Sequence, residues 1–538
     1  MIRFLAPLLA ITVLHGSVTL EEINEKPSGH FKNFLIWQYL KQDITPQQAD
    51  QAFYQVRHVN KRFFKAYAEK TDDESVKYTL DCWNQTAQQL FDNSNDDCSK
   101  LALSPNTAVQ LSIEERHTLS RRFADTTDAK WLAMLSDTNM SQNLESFDAK
   151  TFLKVANGAG SQFRLEHFNQ RLSPEFTAKL EAAPGFSTFV RLVIMDDKLN
   201  QLQRALLDAL SMKANAQTSF FLALNQIRFH QKHEALLLLE KVYETAYFRM
   251  DRDKALFWKY LITDDVGVLE KLSESSDLNI YSIYAKELLK KPIDNYFTKL
   301  KTSDEKTDQD ITDPLVWKSI LDEIRSTPKD DLFNLATKYQ NSSLIGVQGF
   351  ILERASGYRM HNYIMPYEKS MSGLSSDDKA VMLSLMRQES HFIPSALSRS
   401  YALGLMQLMP FLVEHLDKEF TQERTSFNEM FAPERNIAYA TKHLSWLQDR
   451  LYHPLFIAYA YNGGIGFTKK HLLKGTFRPG RYEPFLSMEM MSNSESREYG
   501  KKVLANYVIY KKILGHSVSI VHLFDTLTQP NHTDRFRK

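Results

Sequence analysis

Glycine and proline are scarce in this sequence. Among 538 residues there are 18 Gly and 17 Pro, well below the usual shares of about 7% and about 5%. These two residues form many of the turns that interrupt regular structure. A chain with so few of them is predicted to be helical over most of its length.

An excess of charge of either sign is also missing. Lys and Arg number 66 and Asp and Glu number 65, which gives a net charge of +1. No basic field covers the chain, so the composition argues against a nucleic-acid partner. Apolar residues at 43% and charged residues at 24% are ordinary for a globular protein. The length exceeds one hydrophobic core, so we expect two or three domains.

Cysteine is nearly absent: only Cys82 and Cys98 occur, and the histidines are scattered singly. This leaves no cluster with the ligand spacing of a zinc site, and neither a metal nor another cofactor is predicted. In an oxidising compartment the two thiols can form a disulfide, which would stabilise the fold by about 3 kcal/mol. The alternative is two free structural thiols.

Long apolar runs are absent except for a short one at the N-terminus. Arg3 precedes an apolar stretch at residues 4–14, which is too short to span a bilayer. The small residues Gly16 and Ser17 offer a cleavage site, so residues 1–17 are predicted to be a secretory signal peptide. The alternative is a buried first helix. No cysteine comes directly after the stretch and no later apolar run reaches about 18 residues, so we expect no stable membrane anchor.

Amphipathic segments follow one another from about residue 21 to residue 289, with short polar breaks. In residues 51–69, for example, Phe53, Val56, Val59 and Phe63 recur at the spacing of a helix face. Short helices in series normally pack as antiparallel pairs and form a curved solenoid. The most polar stretch, residues 302–314, is predicted to be an exposed loop or domain junction.

A further helix is predicted after the polar break at residues 370–378. Ser375 or Ser376 can cap it, and it would run as far as Phe392, before Pro394. Apolar residues and one carboxylate, Glu389, share a face of this helix. Desolvation on such a face raises the pKa of a carboxyl group, which suits an acid that protonates a departing sugar oxygen. The alternative is a glutamate that points to solvent.

The segment that begins at Glu389 resembles the signature of the soluble lytic murein transglycosylases with a lysozyme-like catalytic domain. That signature is E-S-x-F-x-P-x-A-x-S, a Gly-Ala step, and G-L-M-Q-x-M-P. The resemblance continues in APERNI (432–437), AYNGG (460–464) and ESREYGKKVLANYVIY (495–510). The matching residues of the first string are Glu389, Ser390, Phe392, Pro394, Ala396, Ser398, Gly404, Leu405, Met406, Gln407, Met409 and Pro410.

The resemblance implies a mainly α fold, with an α-superhelical, ring-like domain followed by a lysozyme-like α domain. The domains expected after the signal peptide are an α-superhelical domain at 18–290, a helical linker domain at 291–361 and a catalytic domain at 362–538. The resemblance also implies a periplasmic protein that acts on the glycan strands of peptidoglycan in cell-wall turnover. Proteins of cell-wall synthesis are candidate partners.

The resemblance implies that Glu389 is the single catalytic acid. It would protonate the oxygen between N-acetylmuramic acid and N-acetylglucosamine, and then take the proton of the C6 hydroxyl as a 1,6-anhydro ring closes. A hydrolase would need a second acid about 5–9 Å away, and residues 390–413 contain none. Ser398 would hydrogen-bond near this carboxyl group, while Met406 and Gln407 would line the cleft.

The later motifs supply the other expected substrate contacts. By the same resemblance, Tyr461 and Asn462 would hold the N-acetyl group or the C6 region, and Glu495 and Tyr499 would bound the far side. The sequence departs from the family at two of these places. Ile465 replaces a proline after the two glycines, and the usual Ile-Pro before Glu495 is absent.

A third departure lies inside the catalytic signature, where Tyr401 replaces the glycine of the Gly-Ala step. A left-handed backbone would be strained at tyrosine, so we expect either a different turn or a tyrosine that projects into the cleft. Two other functions remain open. One is a muramidase that uses water on the same polymer, and the other is a non-catalytic helical scaffold that binds the cell wall.

Overall fold

The computed structural model describes residues 17–209, 214–420 and 425–537. Nearly all of the predicted signal peptide, residues 1–16, lies outside the described residues. The described chain forms two compact units: residues 17–74 with 296–449, and residues 75–295 with 450–537. The predicted mainly α fold is confirmed. The domain boundaries stay a prediction.

Short helices make up residues 17–74, the first segment of one unit. They are α1 (Leu20–Glu25), α2 (His30–Tyr39), α3 (Pro46–Phe53) and α4 (Lys61–Ala68). The helical spacing of apolar residues at 51–69 does not correspond to one helix, because α3 ends at Phe53 and α4 begins only at Lys61. The physical reason is Asn60, whose side chain accepts hydrogen bonds from the N–H groups of Arg62 and Phe63 and so starts a new helix.

The rest of this unit contains the predicted catalytic helix. Its elements are β1 (Tyr296–Phe297), α21 (Pro314–Ser326), α22 (Leu332–Lys338), α23 (Ile345–Ala355), β2 (His361–Asn362), α24 (Ser376–Ser390), α25 (Pro410–Phe420) and α26 (Pro433–Gln448). Strands β1 and β2 pair in parallel. Short 3-10 helices occupy Lys329–Asp331, Ser342–Leu344, Glu368–Met371 and Phe427–Phe431. Of the polar stretch 302–314, residues 302–313 are non-helical as predicted, and Pro314 begins α21.

The other unit begins with a series of helices that pack on their neighbours along the chain. The helix at Ala216–Arg228 packs on the helix at Lys232–Thr245, and the helix at Arg249–Thr263 packs on the one before it and the one after it. This is the serial pairing that the amphipathic segments predict. The bounds are α5 (Glu74–Trp83), α6 (Ala87–Asp92), α7 (Asp96–Ala102), α8 (Pro105–Ala108), α9 (Ile113–Arg122), α10 (Asp128–Ser136), α11 (Ala149–Gly158), α12 (Ser161–Phe168), α13 (Pro174–Glu181), α14 (Phe186–Ile194), α15 (Asn200–Ala205), α16 (Ala216–Arg228), α17 (Lys232–Thr245), α18 (Arg249–Thr263), α19 (Val266–Ser273) and α20 (Ile280–Leu288), with 3-10 helices at Leu144–Ser146 and Leu206–Asp208.

The C-terminal helices complete this second unit. They are α27 (Pro454–Gly463), α28 (Ile465–Leu473), α29 (Phe485–Glu489), α30 (Ser494–Ile513), α31 (Ile520–Thr526) and α32 (Pro530–Thr533). Helix α30 packs on α27 and on α20. In the same unit Cys82 and Cys98 form a disulfide, with Cα atoms 5.0 Å apart. Across the described residues, no helix is both long enough and apolar enough to cross a membrane.

Candidate active site

The candidate acid Glu389 lies in the last turn of α24. The helix begins as predicted, because the Ser375 side chain accepts a hydrogen bond from the N–H of Asp378. It ends at Ser390, two residues earlier than predicted. His391 and Phe392 have φ angles of 50° and 67°, a left-handed conformation that cannot continue a right-handed helix.

The apolar face predicted for α24 is present. Met382, Leu385 and Met386 are buried, and Glu389, one turn further on, is half-buried. Phe392 is also buried, but it follows the helix instead of forming part of its face. A carboxyl group thus stands at the end of a helix that the protein core holds in place.

A buried carboxylate, Glu353 of α23, anchors α24 beside Glu389. The Nη2 of Arg387 donates to Glu353 Oε1 at 2.6 Å, and Nε of Arg387 donates to the carbonyl oxygen of Asn362 at 2.7 Å. The Nδ1 of His361 donates to Glu353 Oε1 at 3.2 Å. Burial alone would raise the pKa of Glu353, but the charge of Arg387 and the His361 hydrogen bond outweigh it and lower the pKa to about 2.

This anchor was not predicted from the sequence. Arg387 lies two residues before Glu389, and its guanidinium also covers the ring of Tyr363 at 4.3 Å. Glu353 is 34 residues away from Arg387 in the chain, and nothing in the local pattern marks it as a buried partner. A glutamate whose side chain is only 4% exposed is the kind of group that needs such a cation.

Helix α24 is followed by a loop that contains the motif residues and is closed by hydrogen bonds within itself. Gly404 has a φ of 72°, and a Cβ there would lie 2.2 Å from the carbonyl oxygen of Met430, so only glycine fits. Asn436 of α26 fixes the loop with its side-chain amide. It accepts from the N–H of Met406 at 2.8 Å and donates to the carbonyl oxygens of Leu403 at 3.0 Å and Met430 at 2.9 Å. The APERNI string thus supplies the support of the G-L-M-Q string.

The predicted substrate residues of this loop differ in exposure. The Ser398 Oγ accepts from the N–H of Ala402 at 2.9 Å, and Ser398 is half-buried. Gln407 is also half-buried, has a φ of 48°, and donates from Nε2 to the carbonyl oxygens of Ala396 and Gly404 at 2.9 and 2.8 Å. Met406 is 0% exposed, so its side chain packs inside the unit.

Tyr401 has a left-handed backbone, with a φ of 66°. The expected projection of Tyr401 into the cleft is wrong, and the expected difference in the turn stays a prediction. The side chain of Tyr401 is only 2% exposed, because it packs against aromatic residues of the N-terminal helices. The ring centroids of Phe34, Trp37 and His30 lie 5.1, 5.3 and 5.4 Å from that of Tyr401.

The other predicted substrate residues lie on α27 and α30, which pack on each other in the second unit. Asn462 Nδ2 donates to Glu495 Oε1 at 3.2 Å, and the Oγ of Ser496 donates to Asn462 Oδ1 at 2.7 Å. Glu495 is exposed, Tyr461 and Asn462 are half-buried, and Tyr499 is buried. These contacts bring Asn462 and Glu495 together, although they are 33 residues apart in the chain.

A glycine lets these two helices approach closely. A Cβ on Gly463 would lie 2.4 Å from the Oγ of Ser496, so the first glycine of the YNGG string permits the contact with α30. Buried charges then hold α30 on its other neighbours. The Nζ of Lys501 donates to Glu489 Oε2 at 2.7 Å, and the hydroxyl of Tyr281 donates to Glu489 Oε1 at 2.6 Å. These supporting residues were not predicted from the sequence.

The class of protein that these motifs indicate is matched independently. Residues 368–481 match the family model described as the transglycosylase SLT domain. The matched stretch includes Glu389, the loop that follows it, and the Tyr461–Asn462 pair, whereas Glu495 and Tyr499 lie beyond its end. The predicted resemblance to the soluble lytic murein transglycosylases is therefore confirmed over this part of the chain.

Individual relatives agree with the family model. The soluble lytic murein transglycosylases of Salmonella typhimurium and Escherichia coli K12 are each 30% identical over 141 residues, which is 26% of this chain. In these alignments the chain spans about a fifth of each relative's length, 21%. Among solved structures, the 70 kDa soluble lytic transglycosylase of Escherichia coli has a TM-score of 0.49 and 16% identity, with 96% of this chain and 85% of that chain covered.

Proposed function

We propose that this protein is a peptidoglycan lytic transglycosylase with Glu389 as its catalytic acid and base. The observation that carries the proposal is the position of Glu389. It is a half-buried carboxyl group at the end of a core helix, inside the stretch that matches the transglycosylase SLT domain. The family match supports peptidoglycan as the substrate, and the presence of a single candidate acid supports cleavage by ring closure.

In the proposed reaction Glu389 donates its proton to the glycosidic oxygen between N-acetylmuramic acid and N-acetylglucosamine. The bond from that oxygen to C1 breaks, and the C6 hydroxyl of the same muramic residue attacks C1. Glu389 takes the hydroxyl proton, so the carboxyl group returns to its starting state and a 1,6-anhydro ring is formed. Because the attacking hydroxyl is tethered to the reacting sugar, the step gains from a high effective molarity, and no water is consumed.

The surroundings of Glu389 favour this reaction over hydrolysis. Residues 390–413 contain no Asp or Glu, whereas most glycoside hydrolases use a second carboxyl group, which can also come from a distant segment of the chain. The carboxylate that contacts α24, Glu353, is buried and bound to Arg387 and His361. It therefore serves as an anchor rather than as a second acid. A muramidase remains the alternative that the product test must exclude.

We further propose how the remaining residues meet the glycan. Gln407 has committed its amide nitrogen to the loop, so its side-chain oxygen is the atom that would accept from a sugar hydroxyl or amide. Asn462 and Glu495 would act as a pair because they share a hydrogen bond. Ser398 and Tyr461 are half-buried and would contact the substrate directly, while the buried Met406 and Tyr499 would support the surface beneath it.

The proposed place of action is the periplasm, where the enzyme would serve cell-wall remodelling and turnover. Support comes from the signal-like residues 1–17 and from the disulfide between Cys82 and Cys98, since disulfides persist in oxidising compartments. Helical segments that precede the catalytic domain would form the superhelical platform. Partners among the proteins of cell-wall synthesis belong to the same proposal.

The test of the assignment is the substitution Glu389→Gln. The amide preserves size but can neither deliver nor accept the proton, so activity on purified peptidoglycan is expected to fall by roughly 10²–10⁴-fold. The matched control is Glu368→Gln, which changes an exposed glutamate within the same SLT segment and is expected to leave the rate unchanged. A Glu389→Gln protein with a native circular dichroism spectrum and most of its activity would overturn the assignment. Lack of activity in the unaltered protein would favour the scaffold alternative.

A further inference from the structure

The loop that carries Ser398 and Gln407 is held by the N-terminal helices of the chain, 338 or more residues away in sequence. The Nε2 of His30, on α2, donates to the carbonyl oxygen of Ser398 at 2.8 Å. The Nη1 of Arg62, on α4, donates to the carbonyl oxygen of Ser400 at 3.0 Å. Both bonds end on the backbone of one short turn, residues 398–402.

The side chain of Tyr401 joins this turn to the same two helices. Phe34 and Trp37 of α2 pack against its ring, and Phe63 of α4 meets it edge-on with centroids 6.3 Å apart. The guanidinium of Arg62 lies 5.1 Å from the Tyr401 ring centroid, within reach of a cation–π interaction. Tyr401 is thus enclosed by residues of the N-terminal segment.

The backbone of Tyr401 requires this support. A φ of 66° is a conformation that bulky residues rarely adopt, and it persists only where surrounding contacts enforce it. Glycine would adopt the same turn without help. At this position of the signature the sequence has tyrosine, so the turn depends on the burial of a side chain.

The turn is connected to the candidate substrate residues by hydrogen bonds. The N–H of Tyr401 donates to the carbonyl oxygen of Ser398 at 2.9 Å, and the N–H of Ser398 donates to the carbonyl oxygen of Ala402 at 3.1 Å. Leu403 and Leu408 exchange backbone hydrogen bonds at 2.9 and 3.0 Å, which brackets Gln407. A shift of Tyr401 would therefore move both Ser398 and Gln407.

We propose that helices α2 and α4 of the N-terminal segment, residues 17–74, position the loop of residues 396–408, with Tyr401 as the positioning residue and with Arg62 and His30 holding its turn. The proposal rests on the proposed function, because it assigns the consequence to glycan cleavage. It adds a role for the first helices of the chain in setting the geometry of the candidate active site. Tyr401 itself contacts neither the reacting atoms nor the sugar in this account.

The test uses the full chain with Tyr401→Ala and, as the conservative variant, Tyr401→Phe. Misplaced positioning groups cost up to about 10²-fold in rate, so Tyr401→Ala is expected to lower kcat/KM on purified peptidoglycan at least tenfold. Tyr401→Phe keeps the ring, and its kcat/KM is expected to stay within about twofold of the unaltered value. The reason is that the packing of the ring, rather than the hydroxyl group, orients the loop. The matched control is Phe53→Ala, which removes a ring stacked on Tyr67 at 3.8 Å in the same N-terminal helices.

Hydrogen–deuterium exchange supplies a readout that does not depend on activity. In Tyr401→Ala, the amides of residues 396–408 are expected to exchange faster, while the amides of α26 exchange at the rate of the unaltered protein. In the control Phe53→Ala, the amides of residues 396–408 are expected to exchange at the unaltered rate. Arg62→Gln, an exposed site on α4, is expected to accelerate the same amides and serves if Tyr401→Ala does not fold. Unchanged loop exchange in Arg62→Gln, or unchanged kcat/KM in a folded Tyr401→Ala, would overturn the proposal. If the unaltered protein has no activity, the proposed function is overturned. The exchange of the loop amides would then still show whether the N-terminal helices hold the loop.

Discussion

The buried ion pair between Glu353 and Arg387 makes a quantitative prediction about the helix that carries Glu389. In Glu353→Gln the neutral amide keeps the shape of the side chain but leaves the guanidinium of Arg387, 12% exposed, without its counter-charge. Removing one partner of a buried pair typically costs about 3–5 kcal/mol. We therefore expect a large loss of folding free energy from a substitution of almost equal volume.

The pKa of Glu353 gives a second route to the magnitude. The folded protein lowers it from 4.5 to about 2, and each unit of pKa corresponds to about 1.36 kcal/mol. The ionised carboxylate is thus worth about 3 kcal/mol near neutral pH, in agreement with the first figure. Because the folded pKa is the lower one, this stabilisation is fully present above about pH 4.5 and is lost as the pH falls towards 2.

The assay is urea unfolding of the unaltered protein and of Glu353→Gln across this pH range. At pH 7 the variant is expected to be less stable by about 3 kcal/mol, and the difference should shrink as the pH falls below about 4.5. Activity should fall as well, since Arg387 lies two residues before Glu389. Glu368→Gln again serves as the exposed control. Equal stability of the two proteins at pH 7, or a difference that grows in acid, would refute the reasoning.

Two further predictions concern a glycine and the disulfide. Gly404→Ala places a Cβ 2.2 Å from the carbonyl oxygen of Met430 at a φ of 72°. The variant should therefore lose about 2 kcal/mol or more of unfolding free energy and most of its activity. A fully active variant of equal stability would contradict this. Replacing Cys82 and Cys98 together by serine should lower the unfolding free energy by about 3 kcal/mol, and urea unfolding should then no longer respond to a reductant. Superimposable curves for the variant and the oxidised protein would show that the bridge contributes nothing.

Local signals in the sequence predicted much of the helix that carries Glu389. Ser375 is a helix cap with acidic residues behind it, and it begins α24 as expected. The apolar face of that helix is buried for the reason that its periodicity indicates. The spacing from Glu389 to Gln407 matches the family signature, and part of it has a structural reason: only glycine fits the turn at Gly404, and the amide of Asn436 accepts a hydrogen bond from the N–H of Met406.

Contacts between distant parts of the chain could not be predicted in this way. Glu353 carries no mark in its own segment, since its partner Arg387 comes from another helix. The same limit applied to Tyr401, where the strained backbone could be anticipated but the burial against Phe34 and Trp37 could not. In residues 51–69 the spacing of apolar residues continues across a break between two helices. The break arises because Asn60 caps a new helix.

The central claim, a single-acid cleavage that closes an anhydro ring, is tested most directly by the products made in ¹⁸O-labelled water. Purified peptidoglycan is digested with the unaltered protein, and the released muropeptides are weighed by mass spectrometry. The account predicts 1,6-anhydro ends, each lighter by one water molecule than the corresponding reducing sugar and free of ¹⁸O, because the C6 hydroxyl rather than water attacks C1. Reducing ends that carry the label would contradict it and would identify the enzyme as a muramidase.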